Sequence, residues 1–295
     1  MSSPETLSYE SDTASEERTP SHPKIKIQAK FQIARPPPKS HQRLRLSPKL
    51  LLQIQQLPPN HRPVPVLEIW QPPLRKSKLT RGFPHRPKLG TRDIYATLNE
   101  PYVTTTRQKQ PKEISETSDQ CTQEKDIIAA MCNPSNDDSA SAIHFRDARC
   151  IWQASPNPST AESERGTRPS NYRFVIKNTE NTTGSEECRM LMQWEKRPLP
   201  NSNGEQDGDA DQFVLVAIDR KARRKSRIAS MTRDGVEITV RKSSVLEHLR
   251  LCLLLTDPVA DSGGEDFYGN LENWLYTHVL TLGAWVASME GWLSL

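Results

Sequence analysis

Residues 271–295 constrain the fold more than any other stretch. Leu271, Leu275, His278, Leu282, Trp285, Met289 and Trp292 recur at alternating spacings of four and three, the period of one helix face. Trp274, Val279, Val286 and Leu293 carry apolar surface round the remaining sides. A helix apolar on most sides belongs deep in a protein core or in a membrane. His278 and Glu290 interrupt this one and no Lys or Arg flanks it, so burial is the expectation and a C-terminal membrane anchor is not. The rest of the chain must supply that core.

It has little to supply it with. Apolar residues make up 34% of the sequence, and 24 prolines stand against 12 glycines. Such a composition cannot bury enough surface along its whole length to offset the entropy of ordering it. Charge is unevenly spread as well. Residues 1–20 hold Glu5, Glu10, Asp12, Glu16 and Glu17 against Arg18, whereas in 21–90 the acid Glu68 stands alone among many Lys and Arg. A basic stretch beside acidic ones suits nucleic acid, anionic lipid, an acidic protein, or the chain's own acidic parts.

Order is expected in pieces. Residues 1–41 show no periodicity and read as a disordered tail. Ser47 and Pro48 suit a helix start, with Leu50, Ile54 and Leu57 on one face. A helix of about ten residues is too short to stand alone, so it is expected to dock. Val64–Trp70 reads as an edge strand because prolines interrupt it, and 93–98 as another strand. Residues 104–169 read as a disordered linker, with a short helix near 126–131.

Denser order begins at 170. Tyr172–Ile176, Arg189–Trp194, Phe213–Asp219, Arg227–Thr232 and Val236–Val240 are strand candidates, and Asp234-Gly235 is a hairpin turn. Ser244–Glu247 has capping-box spacing and opens a helix through Leu255. The expected fold class is α+β: a small antiparallel sheet or partial barrel with an apolar C-terminal helix, plus extensive disorder. The domain division is a tail over 1–41, short helix and strand segments over 42–103 docked on the later domain, a linker over 104–169, and a folded domain over 170–295.

Four pieces together, SPKLLLQIQQL, RPVPVLEIW, FVLVAIDRKARRKSRIASMT and LGAWVASMEGW, resemble a family of uncharacterised filamentous-fungal proteins. That resemblance implies no biochemical function. Several short strands before a terminal apolar helix are also similar to tubby C-terminal-like and scramblase-like barrels, in which a helix runs through a β-barrel. This second resemblance implies peripheral binding to anionic lipid.

No catalytic chemistry emerges from the motifs. No two of the cysteines lie closer than eleven residues, no two histidines lie within sixteen, and zinc needs tighter pairs. Nucleophile elbows and phosphate loops are missing, and Cys252 lies in an apolar run as a small core residue. No catalytic residue, metal ligand, cofactor or small-molecule substrate is expected, and the chain reads as a non-enzyme. The irregular cysteines and the acidic start suit a cytoplasmic or nuclear protein that is not secreted.

The strongest binding feature is a basic loop between two strands: Arg220, Lys221, Arg223, Arg224, Lys225 and Arg227, six cations in eight residues. It suits an unknown protein partner, an import receptor or anionic lipid. Nucleic acid ranks lower because no aromatic side chains flank the loop for base stacking. Ser226 follows two arginines at a phosphosite-like spacing, and a phosphate there would weaken anion binding.

Overall fold

A computed structural model describes residues 26–36, 47–74, 77–79, 82–83, 85–99, 127–134, 140–146, 148, 150–157, 171–178, 190–198, 211–219, 224–241 and 265–293. The elements run in the order β1 (Lys26–Ala34), β2 (Lys49–Gln56), β3 (Val64–Gln71), β4 (Ser77–Lys78), β5 (Lys88–Leu89), β6 (Ile94–Leu98) and β7 (Ile127–Cys132). They continue with β8 (Ser141–Phe145), β9 (Cys150–Asn157), β10 (Asn171–Asn178), β11 (Met190–Pro198), β12 (Asp211–Asp219), β13 (Arg224–Met231), β14 (Gly235–Arg241) and the helix α1 (Glu265–Met289). All strands except β4 and β5 close a single antiparallel barrel, in the order β1-β14-β13-β12-β11-β10-β9-β8-β7-β6-β3-β2.

Alternation builds the wall. In β14, Val236, Ile238 and Val240 are buried while Glu237 and Thr239 are exposed; Phe31 and Ile33 of β1 and Tyr172, Phe174 and Ile176 of β10 point inward in the same way. A period of two puts every second side chain in the lumen and leaves the next for solvent. Closure then removes both sheet edges, as β1 joins β14 on one side and β2 on the other.

The helix fills the lumen. Every residue from His278 to Ala287 is buried, which covers all sides of about three turns. Tyr276 meets Phe31 of β1 edge-on at 5.3 Å, His278 stacks on Phe145 of β8 at 4.0 Å, and Trp285 meets Phe174 of β10 at 5.4 Å. At Gly283 a Cβ would stand 3.1 Å from the Met231 sulfur and 3.6 Å from Trp194, so the helix presses its backbone against β11 and β13 there. The lower mouth is where β14 ends and β1 begins; α1 runs away from it, with His278 on Phe145 at the lower end of β8 and Trp292 on Phe213 at the upper start of β12, 5.6 Å between ring centres.

The C-terminal cap is a Schellman motif. Gly291 has φ 70°, the Trp292 N–H bonds the Ala287 carbonyl at 2.8 Å, and the Gly291 N–H bonds that of Ser288 at 3.2 Å. Glycine reaches that left-handed conformation without steric cost. Gly235 has a different reason: a Cβ there would come within 2.5 Å of the Phe31 carbonyl oxygen, so the β1–β14 contact requires its absence.

A second, smaller core lies outside the barrel. The excursion between β3 and β6, which carries the β4–β5 sheet, lays Leu79, Phe83 and Leu89 on Tyr95, Ile127 and Ala130 of the outer wall. Asp93 fastens it, its carboxylate accepting hydrogen bonds from the Gly90 N–H and, at 2.8 Å, from that of Asn133.

Several expectations are corrected. The fold is not an α+β small sheet or partial barrel but a closed, mostly β barrel of twelve strands with one described helix. The docking helix at Leu50, Ile54 and Leu57 is strand β2, paired on both sides, with Leu52 and Ile54 buried and Leu57 just beyond its end. Two ladders satisfy its backbone more fully than one marginal helix would. The helix expected near 126–131 is strand β7. Strand β3 is an interior strand, and its Pro65 is tolerated because the β2–β3 register slips between Ile54 and Gln55, opposite it. Strand β1 falls in the expected tail and β7, β8 and β9 in the expected linker. The helix expected over 244–255 lies outside the described residues.

Candidate binding surface and buried polar sites

The basic segment lies between the end of β12 at Asp219 and the first half of β13, strands that meet at the lower mouth. Arg220, Lys221 and Arg223 lie outside the described residues. Arg224, Lys225, Ser226 and Arg227 belong to strand β13 itself, which begins earlier than the sequence suggested. Lys225 and Arg227 are exposed, and Ser226 is half-buried. Lys225 opposes Ile218 and Arg227 opposes Val216 in the β12–β13 ladder, so the two alternate positions share the outer face.

Two described carboxylates stand beside them, Asp219 of β12 opposite Arg224 in the ladder and Glu195 of β11. Glu195 of β11 takes the Lys225 ammonium at 3.2 Å and the Arg197 guanidinium at 3.0 Å. Burial works against its charge, but the hydrogen bonds from Arg197 and Lys225 and their positive charges outweigh that and hold its carboxyl below the usual range. Arg227 makes no ion pair among the described residues, and exposed Lys177 and half-buried Arg173 of β10 add further cations. A flat wall of this kind attracts anions by charge, without a pocket.

A shallow groove of about 500 Å³ opens farther up, over β1, β13 and β14. Its lining mixes Lys30 with Asp234 and Glu237, and Lys30 is already paired with Glu237 at 2.8 Å. That pairing leaves a single carboxylate, Asp234, on an otherwise uncharged and open lining.

Polar groups inside the barrel serve the helix. Tyr172 donates to Glu290 at 2.5 Å, and Lys196 stands 3.8 Å from the same carboxylate. Asn133, just past β7, ties together the segment before β6, β8 and α1: its amide donates to the Arg92 carbonyl at 3.0 Å, and its oxygen accepts from Ser141 at 3.0 Å and from the Trp285 indole at 3.2 Å. These bonds fix the upper end of α1 to the wall. The sequence offered a signal for Glu290, a carboxylate in an apolar run, but none for Asn133, whose role depends on closure.

His278 sits mid-lumen. Its Nδ1–H donates to the Trp274 carbonyl at 2.9 Å, which leaves Nε2 as an acceptor with no partner among the described residues. Burial lowers its pKa to about 4, against the opposing pull of that backbone bond. On the outer wall His144 is likewise lowered to about 4, by burial and by His85 at 6.0 Å between ring centres. Burial first, and then Asp93, pushes the Cys132 thiol up to about 12, so it is not a thiolate nucleophile at neutral pH. Cys150 is a core residue and Cys252 lies outside the described residues. No three metal-ligating side chains converge among the described residues, and no described helix is long and apolar enough to cross a membrane.

No family model, no curated protein and no solved structure matches this chain.

Proposed function

We propose that the chain is a non-enzymatic binding module: a helix-filled barrel that carries a cationic surface, Arg220–Arg227 with its strand neighbours, to an acidic protein partner or import receptor. The observation that carries this reading is the pair of exposed cations Lys225 and Arg227 on one outer face beside the β12–β13 turn. The occupied lumen supports it too, because α1 takes the volume in which a barrel of this kind would otherwise hold a ligand. A tagged full chain with Arg223→Ala and Arg224→Ala tests the import role: wild type should concentrate in nuclei and the variant should not. Equal distribution of the two would refute it.

Peripheral binding to anionic lipid is the second reading. A helix running inside a closed barrel is the arrangement implied by the likeness to tubby C-terminal-like proteins. On this reading the chain sediments with phosphatidylserine vesicles at low salt. Lys225→Glu with Arg227→Glu weakens sedimentation by roughly tenfold or more, at about 1 kcal/mol per cation near the surface. Failure of the wild type to sediment at low salt removes the lipid reading and leaves the first untouched.

A further inference from the structure

We infer that the chain's own acidic N-terminal segment, residues 1–20, docks on the outer face of β13 around Lys225 and Arg227 and competes there with the partner. The inference rests on the proposed binding surface and adds what occupies it when the partner is absent.

Topology places the two sides together. Lys26, the first residue of β1, pairs with Arg241 at the end of β14, at the lower mouth. Strand β13, whose lower half carries Lys225 and Arg227, is β14's other neighbour. Two steps across a sheet amount to about 10 Å. Residues 18–25 extended reach roughly 26 Å, so the acids Glu5 to Glu17 have ample chain to arrive there. The route is open: Gln28 on β1, Thr239 on β14 and Arg227 and Lys225 on β13 are all exposed.

Charge selects this occupant. Residues 1–20 carry five acids against Arg18, while of the described acids near the face Glu237 and Glu195 are held by Lys30 and by Lys225 with Arg197, and Asp219 stands opposite Arg224 at the end of β12. Arg227 has no ion pair among the described residues. A tether this short keeps the segment at a millimolar effective concentration, so modest attraction suffices to occupy the face. Competition of this kind weakens at higher salt.

The test uses the full chain and a variant with Glu5, Glu10, Glu16 and Glu17 changed to Gln and Asp12 to Asn. Both are treated with a zero-length carbodiimide, which joins lysine amines to carboxylates in contact, and the links are mapped by mass spectrometry. The Lys225–Glu195 link is the internal control and should form in both. The inference expects a further link from Lys225 to an acid of residues 1–20 in the natural chain, lost at high salt. It also expects polyglutamate to bind the variant at least fivefold tighter than the natural chain. Links from those acids to Lys24 or Lys26 alone overturn it, as does a Lys225 link when polyglutamate binds both chains equally well. If polyglutamate binds neither chain, the reading under Proposed function fails for acidic proteins, and the cross-link by itself decides this one.

Discussion

The barrel holds one hydrophobic core inside its wall and another outside, and the two are held differently. The inner core draws on all twelve strands and wraps α1 on every side. The outer one rests on Leu79, Phe83 and Leu89 of a single excursion against residues of β6 and β7. Closure makes the inner core all-or-none, since no strand can leave without opening two ladders. The outer core hangs from one connection and can open while the barrel stays shut.

The largest difference should appear at Trp285. It is fully buried, meets Tyr172 and Phe174 edge-on, and donates to Asn133. Trp285→Ala should cost about 4 kcal/mol through lost contacts and the cavity left behind. Denaturant titration should show that loss in one transition, with fluorescence and circular dichroism coincident. Separate transitions would mean that the helix leaves the lumen before the wall unfolds.

How much of this division was legible in the sequence depended on local pattern. Val236–Val240 alternates cleanly behind a hairpin turn, β13 leads into the same turn, and β12 is legible as the continuous apolar run Phe213–Ile218. The burial of α1 was visible because apolar side chains surround the helix and no ladder or partner is needed to see it. Strand β9 escaped because Cys150, Trp152 and Ala154 face inward while its outward positions and flanks read as linker. Strand β2 misled because Leu50, Ile54 and Leu57 fit a helical period as well as Leu52 and Ile54 fit a strand. What decides such cases is the pairing of distant segments, β1 with β14 and β3 with β6, and spacing within one segment does not carry that information. The cationic segment was legible as composition, but its placement on a strand face at the lower mouth was not.

Acid should separate the cores next. Both His278 inside and His144 outside have pKa values lowered to about 4 from 6.5. The native state therefore favours neutral imidazole, and the unfolded chain binds protons first as pH falls. Stability from this source is complete above about pH 6.5 and declines between there and pH 4. For His278 the loss is on the order of 3 kcal/mol. His278→Leu should flatten the stability profile between pH 6.5 and 4, measured by urea unfolding. Replacement of His144 by Leu should change it less, because its surroundings can open locally and let the proton in without unfolding the barrel. An equally flat profile for both variants would show that the excursion and the barrel unfold together.

The smallest global effect is expected at Phe83, and its logic is different. The ring is buried among outer-core residues, with the Arg146 guanidinium 5.9 Å from its centre. A buried Phe→Ala change ordinarily costs about 3 kcal/mol or more. Here the cost seen by the whole protein cannot exceed the free energy with which the excursion docks, because beyond that point undocking is cheaper than keeping the cavity. Phe83→Ala should therefore move the global unfolding midpoint little. It should instead speed hydrogen exchange at the Leu79 amide, which bonds the Pro87 carbonyl at 3.0 Å, while the Leu57 amide, bonded to the Lys30 carbonyl at 2.8 Å, keeps its protection. Faster exchange at both amides would mean that the outer core is continuous with the barrel and that closure does not isolate it.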